Sequence, residues 1–365
     1  MALQCGIIGI ANSGKSTIYN CMSKNKAEVT NYAFSSNKSN VGIIDVPDPR
    51  LKVLEELQPT EKLIPATVEI VDIPGLVKGA SKGEGVGNQF LGDIRNTDAL
   101  IHVLRCFDNE NLPHVDGSVD PVRDKETIDF ELQVKDLEAV DKKIIRLEKI
   151  AKSGDKDAKK GIEVLKIYKE HLENLQHART APVGEDDEKY VADIFLFTMK
   201  PVLYVCNVDE ASANVGNHYV EKVKEAIKEE SAELLVIAGA LEADIAELET
   251  AEEQNEFLSD AGLSEPGVNK LIRSAYNLLN LTSFFTVGPK EIRAWTIKKG
   301  MNAPQAAGVI HSDLERGFIR AEVMKYNDFT SLGSENKVKE AGKFRVEGKA
   351  YIVEDGDILH IRFNV

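Results

Sequence analysis

Along the first two-thirds of the chain, apolar residues gather into short, β-branched runs at 5–10, 67–71, 100–106, 202–206 and 234–237. Each run is continuous rather than alternating, as expected of a strand covered on both faces. Helix-period stretches lie between them, so the order predicts a largely parallel sheet with crossover helices. From about 122 to 179 the pattern changes. Leu137, Val140, Ile144, Leu147 and Ala151 step by three and four, as do Leu165, Tyr168, Leu172 and Leu175, with a polar break at 153–157 between them. Two helices packed as an antiparallel hairpin and inserted into the sheet domain explain this; two ordinary surface helices are the plainer alternative.

From about Leu281 the chain turns to short apolar runs at 284–287, 294–297, 318–323, 345–346, 351–353 and 358–363, with a turn signal at Asp355-Gly356-Asp357. A small mixed sheet, separate from the first, is expected. The resulting division is 1–121 and 196–281 for the two parts of an α/β domain, 122–195 for the helical insertion and 282–365 for the C-terminal domain.

Composition narrows the class. At 365 residues, with 42% hydrophobic and 29% charged residues, the chain can bury more than one core. No apolar run is long enough for a membrane-spanning helix, and Met1-Ala2-Leu3-Gln4 lacks the basic and apolar regions of a secretion signal. Cys5, Cys21, Cys106 and Cys206 form no CxxC pair and fit buried thiols in a reducing compartment. A cytoplasmic protein with no membrane partner is therefore expected. The formal net charge of −15 opposes indiscriminate nucleic-acid binding, yet residues 282–365 are +2 and leave room for an RNA contact there. Lys290, Arg293, Lys298 and Lys299 around Trp295 are the basic group in question.

Three motifs carry the chemistry. Gly9-Ile10-Ala11-Asn12-Ser13-Gly14-Lys15-Ser16-Thr17 satisfies G-x-x-x-x-G-K-[ST], with a strand before it and an amphipathic helix after it. Its backbone amides and helix N-terminus suit phosphates, Lys15 suits the β- and γ-phosphates, and the Ser16 hydroxyl suits Mg2+. About 55 residues later a strand ends in Asp72-Ile73-Pro74-Gly75, the D-x-x-G that meets Mg2+ through Asp72 and senses the γ-phosphate at Gly75. A glycine-rich stretch follows. Third, Asn207-Val208-Asp209-Glu210 stands where guanine-specific proteins carry N-K-x-D. Glu210 is one methylene longer than the aspartate that grips guanine, and Asp209 is one position early, so guanine specificity is expected to be lost. Ala238-Gly239-Ala240, after the last apolar run, is placed to flank the base.

The motif order, the N-x-x-E substitution and the segment 75–88 resemble the Obg-like ATPase (YchF) family. So do Pro47-Asp48-Pro49-Arg50-Leu51, the stretch 242–248 and the ending 358–365. The resemblance spans nearly the whole chain. It implies a G domain, an inserted coiled-coil hairpin and a C-terminal TGS domain of β-grasp shape. It also implies hydrolysis of ATP in preference to GTP, association with ribosomes and a regulatory role. Leu76 stands where many GTPases have a water-positioning Gln, and the resemblance points to His114 instead. Asn12 is a candidate for holding a monovalent cation such as K+, against plain loop geometry. The chain departs from the family at 31–40: Ser36 replaces the Thr that meets Mg2+, and both prolines are missing.

The leading expectation is an ATPase whose nucleotide state sets its affinity for a ribosomal partner. The alternatives are a nucleotide-gated binding module with negligible turnover, an atypical GTPase and, least, a P-loop kinase.

Overall fold

The computed structural model describes residues 3–24, 40–75, 86–230 and 232–364. In chain order the strands are β1 (Gln4–Ile8), β2 (Asn40–Asp45), β3 (Leu63–Ile64), β4 (Thr67–Asp72), β5 (Ala99–Cys106), β6 (Val202–Val208), β7 (Glu233–Ile237), β8 (Leu281–Val287), β9 (Ile292–Lys298), β10 (Phe318–Lys325), β11 (Arg345–Glu347) and β12 (Asp357–Phe363). The helices that matter below are α1 (Lys15–Ser23), α2 (Arg50–Leu57), α3 (Val86–Arg95), α4 (Pro121–Ala151), α5 (Lys156–Glu173), α6 (His218–Ala226) and α7 (Gly239–Glu247).

The chain folds as two compact units, one built mainly on 69–271 with the N-terminal residues, the other on 43–68 and 272–364. Residues 43–68 thus join the C-terminal residues, although a division by chain order places them within 1–121. The cause is pairing at a distance: β3 runs parallel to β9, and the Ile292 amide donates to the Lys62 carbonyl at 2.9 Å. Arg50, at the start of α2, donates to Asp355 at 2.7 Å, in the turn expected at 355–357.

The first unit is the expected α/β sheet, ordered β2-β4-β1-β5-β6-β7. β1 pairs in parallel with both β4 and β5, and β5–β6 and β6–β7 continue the parallel run. β5 and β6 are buried along their whole length, which is why their sequences do not alternate. Strand order reverses direction at β1, and in open parallel sheets ligands bind at such a switch point, beyond the carboxyl ends of the strands.

The insertion starts where α4 is capped by Asp120, whose carboxylate accepts from the Val122 and Arg123 amides at 3.2 Å, with Pro121 at the first helical position. Its first half packs Ile128 and Leu132 into the core of the sheet. Its second half leaves the sheet and pairs with α5 through Val140, Ile144, Val164, Leu165, Tyr168 and Leu172. Asp136 fastens the return: its carboxylate accepts from the Phe197 and Thr198 amides and the Thr198 hydroxyl, each at 2.7 Å. Burial raises this carboxyl to about 6 against those hydrogen bonds. Among the described residues no helix is long and apolar enough to cross a membrane.

The second unit is a mixed sheet, β11-β10-β12-β8-β9-β3, with β12–β8 and β3–β9 parallel. Its core joins Phe284, Ile297, Phe318, Val323 and Leu359 to the small residues Ala303, Ala306 and Ala307 of a short helix. The run 351–353 does not form the expected strand; Ile352 makes a single bridge to Asn302.

Candidate nucleotide site

Four loops of the first unit meet at the carboxyl ends of β1, β4, β6 and β7. β1 ends in buried Ile7 and Ile8, and the chain then turns at Gly9 (φ +153°), where a Cβ would stand 2.5 Å from the Val103 carbonyl oxygen. Gly14 (φ +94°) caps α1, and a Cβ there would overlap the Asn207 Nδ2. Both positions therefore require glycine for space as well as for backbone angle. Lys15 opens α1 with its side chain folded inward, and its Nζ donates to the Ile10 carbonyl at 2.7 Å. Burial draws this ammonium down to about 8, with Asp72 opposing the shift. Burial likewise raises Asp72, with Lys15 opposing. A Cβ on Gly75 would lie 3.1 Å from the Lys15 Nζ, so the D-x-x-G turn closes directly over the P-loop lysine. Ser13 is fully buried and its hydroxyl has no hydrogen-bond partner, while Ser16 and Thr17 are exposed in the first turn of α1.

Asn207 does more than mark a motif. Its Nδ2 donates to the Ser13 carbonyl at 2.9 Å, and its Oδ1 accepts from the Gly239 amide at 2.9 Å. It thus pins the phosphate loop to the β7–α7 turn, with Ala238 and Gly239 buried beside it and Ala240 exposed. Val208 takes no part as a side chain, because it lies in the sheet core. Asp209 spends its carboxylate on its own turn, accepting from the Ser212 amide at 3.1 Å and hydroxyl at 3.0 Å. Glu210 is exposed at the start of that turn.

The loop after β5 brings in His114. Asn12 (φ +62°) reaches across from the P-loop, donating from Nδ2 to the Pro113 carbonyl at 3.1 Å. The His114 Nε2 lies 2.9 Å from the Asp124 Oδ2, and the Asp116 amide donates to Nδ1 at 3.0 Å. An amide can only donate, so Nδ1 holds the lone pair and Nε2 the proton. The two side chains are only 2% and 1% exposed. Arg123 pairs with the second Asp124 oxygen at 3.0 Å and stands 3.4 Å from Nδ1. Arg105, fully buried, shapes the same loop through the Phe107 carbonyl at 3.2 Å.

A second polar cluster joins the insertion to the sheet. Lys125 donates to Asp129 at 2.7 Å and to Glu230 at 2.6 Å. Glu230 also receives Arg179 and the Tyr204 hydroxyl at 2.7 Å each. His177 stands 3.4 Å from Asp129 and 3.5 Å from Glu230.

Comparison with known proteins fits this layout. A family model described as a 50S ribosome-binding GTPase matches residues 4–150, and the YchF-type GTPase C-terminal model, described as a protein of unknown function, matches 281–364. A protein of Haemophilus ducreyi named ribosome-binding ATPase YchF is 49% identical over 365 residues, covering 100% of both chains. The Bacillus subtilis protein of the same name is also 49% identical, over 367 residues and 100% of both chains. The chain belongs to the YchF family. The solved structure of the Schizosaccharomyces pombe YchF GTPase superimposes with a TM-score of 0.88 at 36% identity, covering 99% of this chain and 97% of that one. The fold expected for a YchF protein is thereby present: a P-loop α/β domain, a helical segment and a C-terminal YchF domain.

Of the residues expected at the YchF nucleotide site, Asn12, Ser13, Gly14, Lys15, Ser16, Thr17, Asp72, Asn207, Ala238, Gly239 and Ala240 lie at strand ends, in the connecting turns or in the first turns of α1 and α7, all at the carboxyl end of one sheet. Ser36 and Leu76 fall outside the described residues. Asp124, Arg123 and Asp116 were not anticipated. A sequence signal existed for the first: Asp120-Pro121 marks a helix start, which puts Asp124 in an opening turn ten residues after His114.

Proposed function

We propose that this chain hydrolyses ATP to ADP and phosphate and uses the nucleotide state to regulate a ribosome-associated process. The observation that carries it is the buried Lys15 at the carboxyl end of the sheet, with the half-buried Asp72 carboxylate acting on its charge and Gly75 closing over its Nζ. A triphosphate entering the loop would draw the Lys15 ammonium from the Ile10 carbonyl onto the β- and γ-phosphates, and would offer the stranded Ser13 hydroxyl a partner. The donor set fits Mg2+, with a hydroxyl from Ser16 and a carboxylate from Asp72; Ser36 would complete it. The metal, once bound, neutralises charge building on the phosphates. Asn12 has its amide nitrogen on Pro113, which leaves its oxygen to meet a monovalent cation such as K+.

Loss of guanine specificity follows from Asp209 and Glu210. The only aspartate in the motif is tied into its own turn, so no short carboxylate is poised for the guanine N1–H and 2-amino group. That removes the grip on guanine; the preference for ATP over GTP rests on membership of the YchF family, whose relatives are named ATPases. The ribosome as partner rests on the two curated relatives named for it, each covered end to end. A TGS-like role for the C-terminal unit would use exposed Lys290, Lys298 and Lys299 on RNA. Trp295 is less available, since Arg293 stacks on its ring at 3.9 Å and its N–H goes to Thr286. Side-by-side titration of nucleotide-free protein with ATP and GTP in Mg2+ tests the reading. ATP binding several-fold tighter supports it; tighter GTP binding leaves an atypical GTPase, and binding of neither leaves a partner-binding scaffold.

A further inference from the structure

His114 can serve hydrolysis only if one ring nitrogen reaches water, and its two nitrogens are held very differently. Nε2 faces a carboxylate that is 1% exposed, anchored by Arg123 and seated in the first turn of α4, where the helix N-terminus favours negative charge. Nδ1 faces a main-chain amide of the short 114–117 turn, closed by the Gly117 amide donating to the His114 carbonyl at 3.0 Å. The Arg123 Nη2 also stands 3.4 Å from Nδ1, but Arg123 and Asp116 are partly exposed, so water can take over their contacts, whereas breaking the Nε2 contact strands a buried carboxylate.

We propose that Asp124 is a positioning residue for hydrolysis. It fixes the His114 ring with Nε2–H on its carboxylate, so that Nδ1 is the atom that takes the attacking water. This rests on the reading of His114 as the water-handling group. In the step, the water oxygen bonds to the γ-phosphorus as the bond to the ADP oxygen breaks. The water proton passes to Nδ1, and the imidazolium is held opposite the Asp124 carboxylate. The insertion helix, rather than the β5 loop alone, then sets the ring. Asn12, through Pro113, ties the same loop to the phosphate-binding loop.

The test is steady-state phosphate release from Mg-ATP, with ATP affinity measured separately, for the full-length parent, D124A, D124N, H114A and H114A/D124A. A carboxylate that orients a metal-bound histidine is worth on the order of 10- to 100-fold, and the same scale is expected here. D124A should lose that factor in kcat while its ATP Kd stays within about twofold. D124N, whose amide oxygen still accepts from Nε2–H, should recover part of the loss. The double variant should be no slower than H114A. Equal slowing by D124A in the parent and H114A backgrounds overturns the proposal, as does D124A at the parent kcat. Parent kcat in H114A overturns the underlying reading of His114 and this proposal with it. If D124A does not fold, D124N decides: 15N spectra should show the Nε2–H form in the parent and a shifted tautomer mixture in D124N, with lower kcat. An unchanged tautomer and rate refute it.

Discussion

Asn207 offers a sharp test of how the phosphate loop is held. Replacing it with Ala removes the donor to the Ser13 carbonyl and the acceptor for the Gly239 amide, both at 2.9 Å and both buried. A stranded buried backbone group costs about 1–3 kcal/mol, so two cost roughly 2–4 kcal/mol after partial relaxation. Asn207→Asp is the more telling change. It keeps shape and volume and still accepts from Gly239, but it sets a carboxylate oxygen against the Ser13 carbonyl oxygen where a donor stood. The loop must move away, and Gly14, packed against that same nitrogen, moves with it. With about 1.4 kcal/mol per tenfold, ATP affinity should fall by roughly 30- to 700-fold in both variants if the whole cost falls on binding. Calorimetric titration with Mg-ATP and thermal unfolding would measure the two losses. An Asn207→Asp protein that binds ATP within twofold of the parent, at the parent Tm, refutes the idea that this side chain is the pin.

Two further outcomes follow from buried charge. Burial holds Lys15 at about 8, and phosphates prefer its charged form, so ATP affinity should decline as pH rises past 8, by up to about tenfold per unit; a flat binding profile from pH 7 to 9.5 would contradict this. Lys125→Met leaves Asp129 and Glu230 short of their cation and should cost about 3–5 kcal/mol in denaturant unfolding near pH 7. The pH signs differ within that cluster. Burial works against the charge on Asp129 and Glu230, yet hydrogen bonds and neighbouring cations hold both below their ordinary 3.8 and 4.5; their stabilisation is present above those values and fades in acid. His177, also opposed by burial but held above 6.5 by those two carboxylates, stabilises fully below 6.5 and loses that as pH rises. The parent should therefore lose more stability between pH 6.5 and 8 than His177→Gln does.

How legible all this was depends on the kind of interaction. The buried strands announced themselves because both faces meet apolar neighbours, and the phosphate loop because its spacing is dictated by phosphate geometry. Strand β2 was missed: its burial alternates and it begins with a polar residue. The first half of α4 was hard to place for a different reason. Several of its inward positions are polar, including Asp124, Lys125, Asp129 and Asp136, so an apolar stripe does not form. Their partners come from residues up to about a hundred positions away, and no local pattern reveals that. The same holds for Asn207, whose place in a motif was readable while its two backbone partners were not.

The Asp136 clamp also bears on how quickly the chain finds its fold. β5 and β6 must zip together across the insertion, with Ile101 opposite Leu203. Closing an unstructured loop of roughly a hundred residues costs about 4 kcal/mol of chain entropy, against about 2.5 kcal/mol for one near twenty. If α4 and α5 collapse first and Asp136 grips residues 197–198, the tether shortens to the latter scale. Nucleation inside the hairpin would then speed sheet closure by about tenfold. The insertion is in this sense an internal splint, and loosening the clamp should slow refolding more than it hastens unfolding.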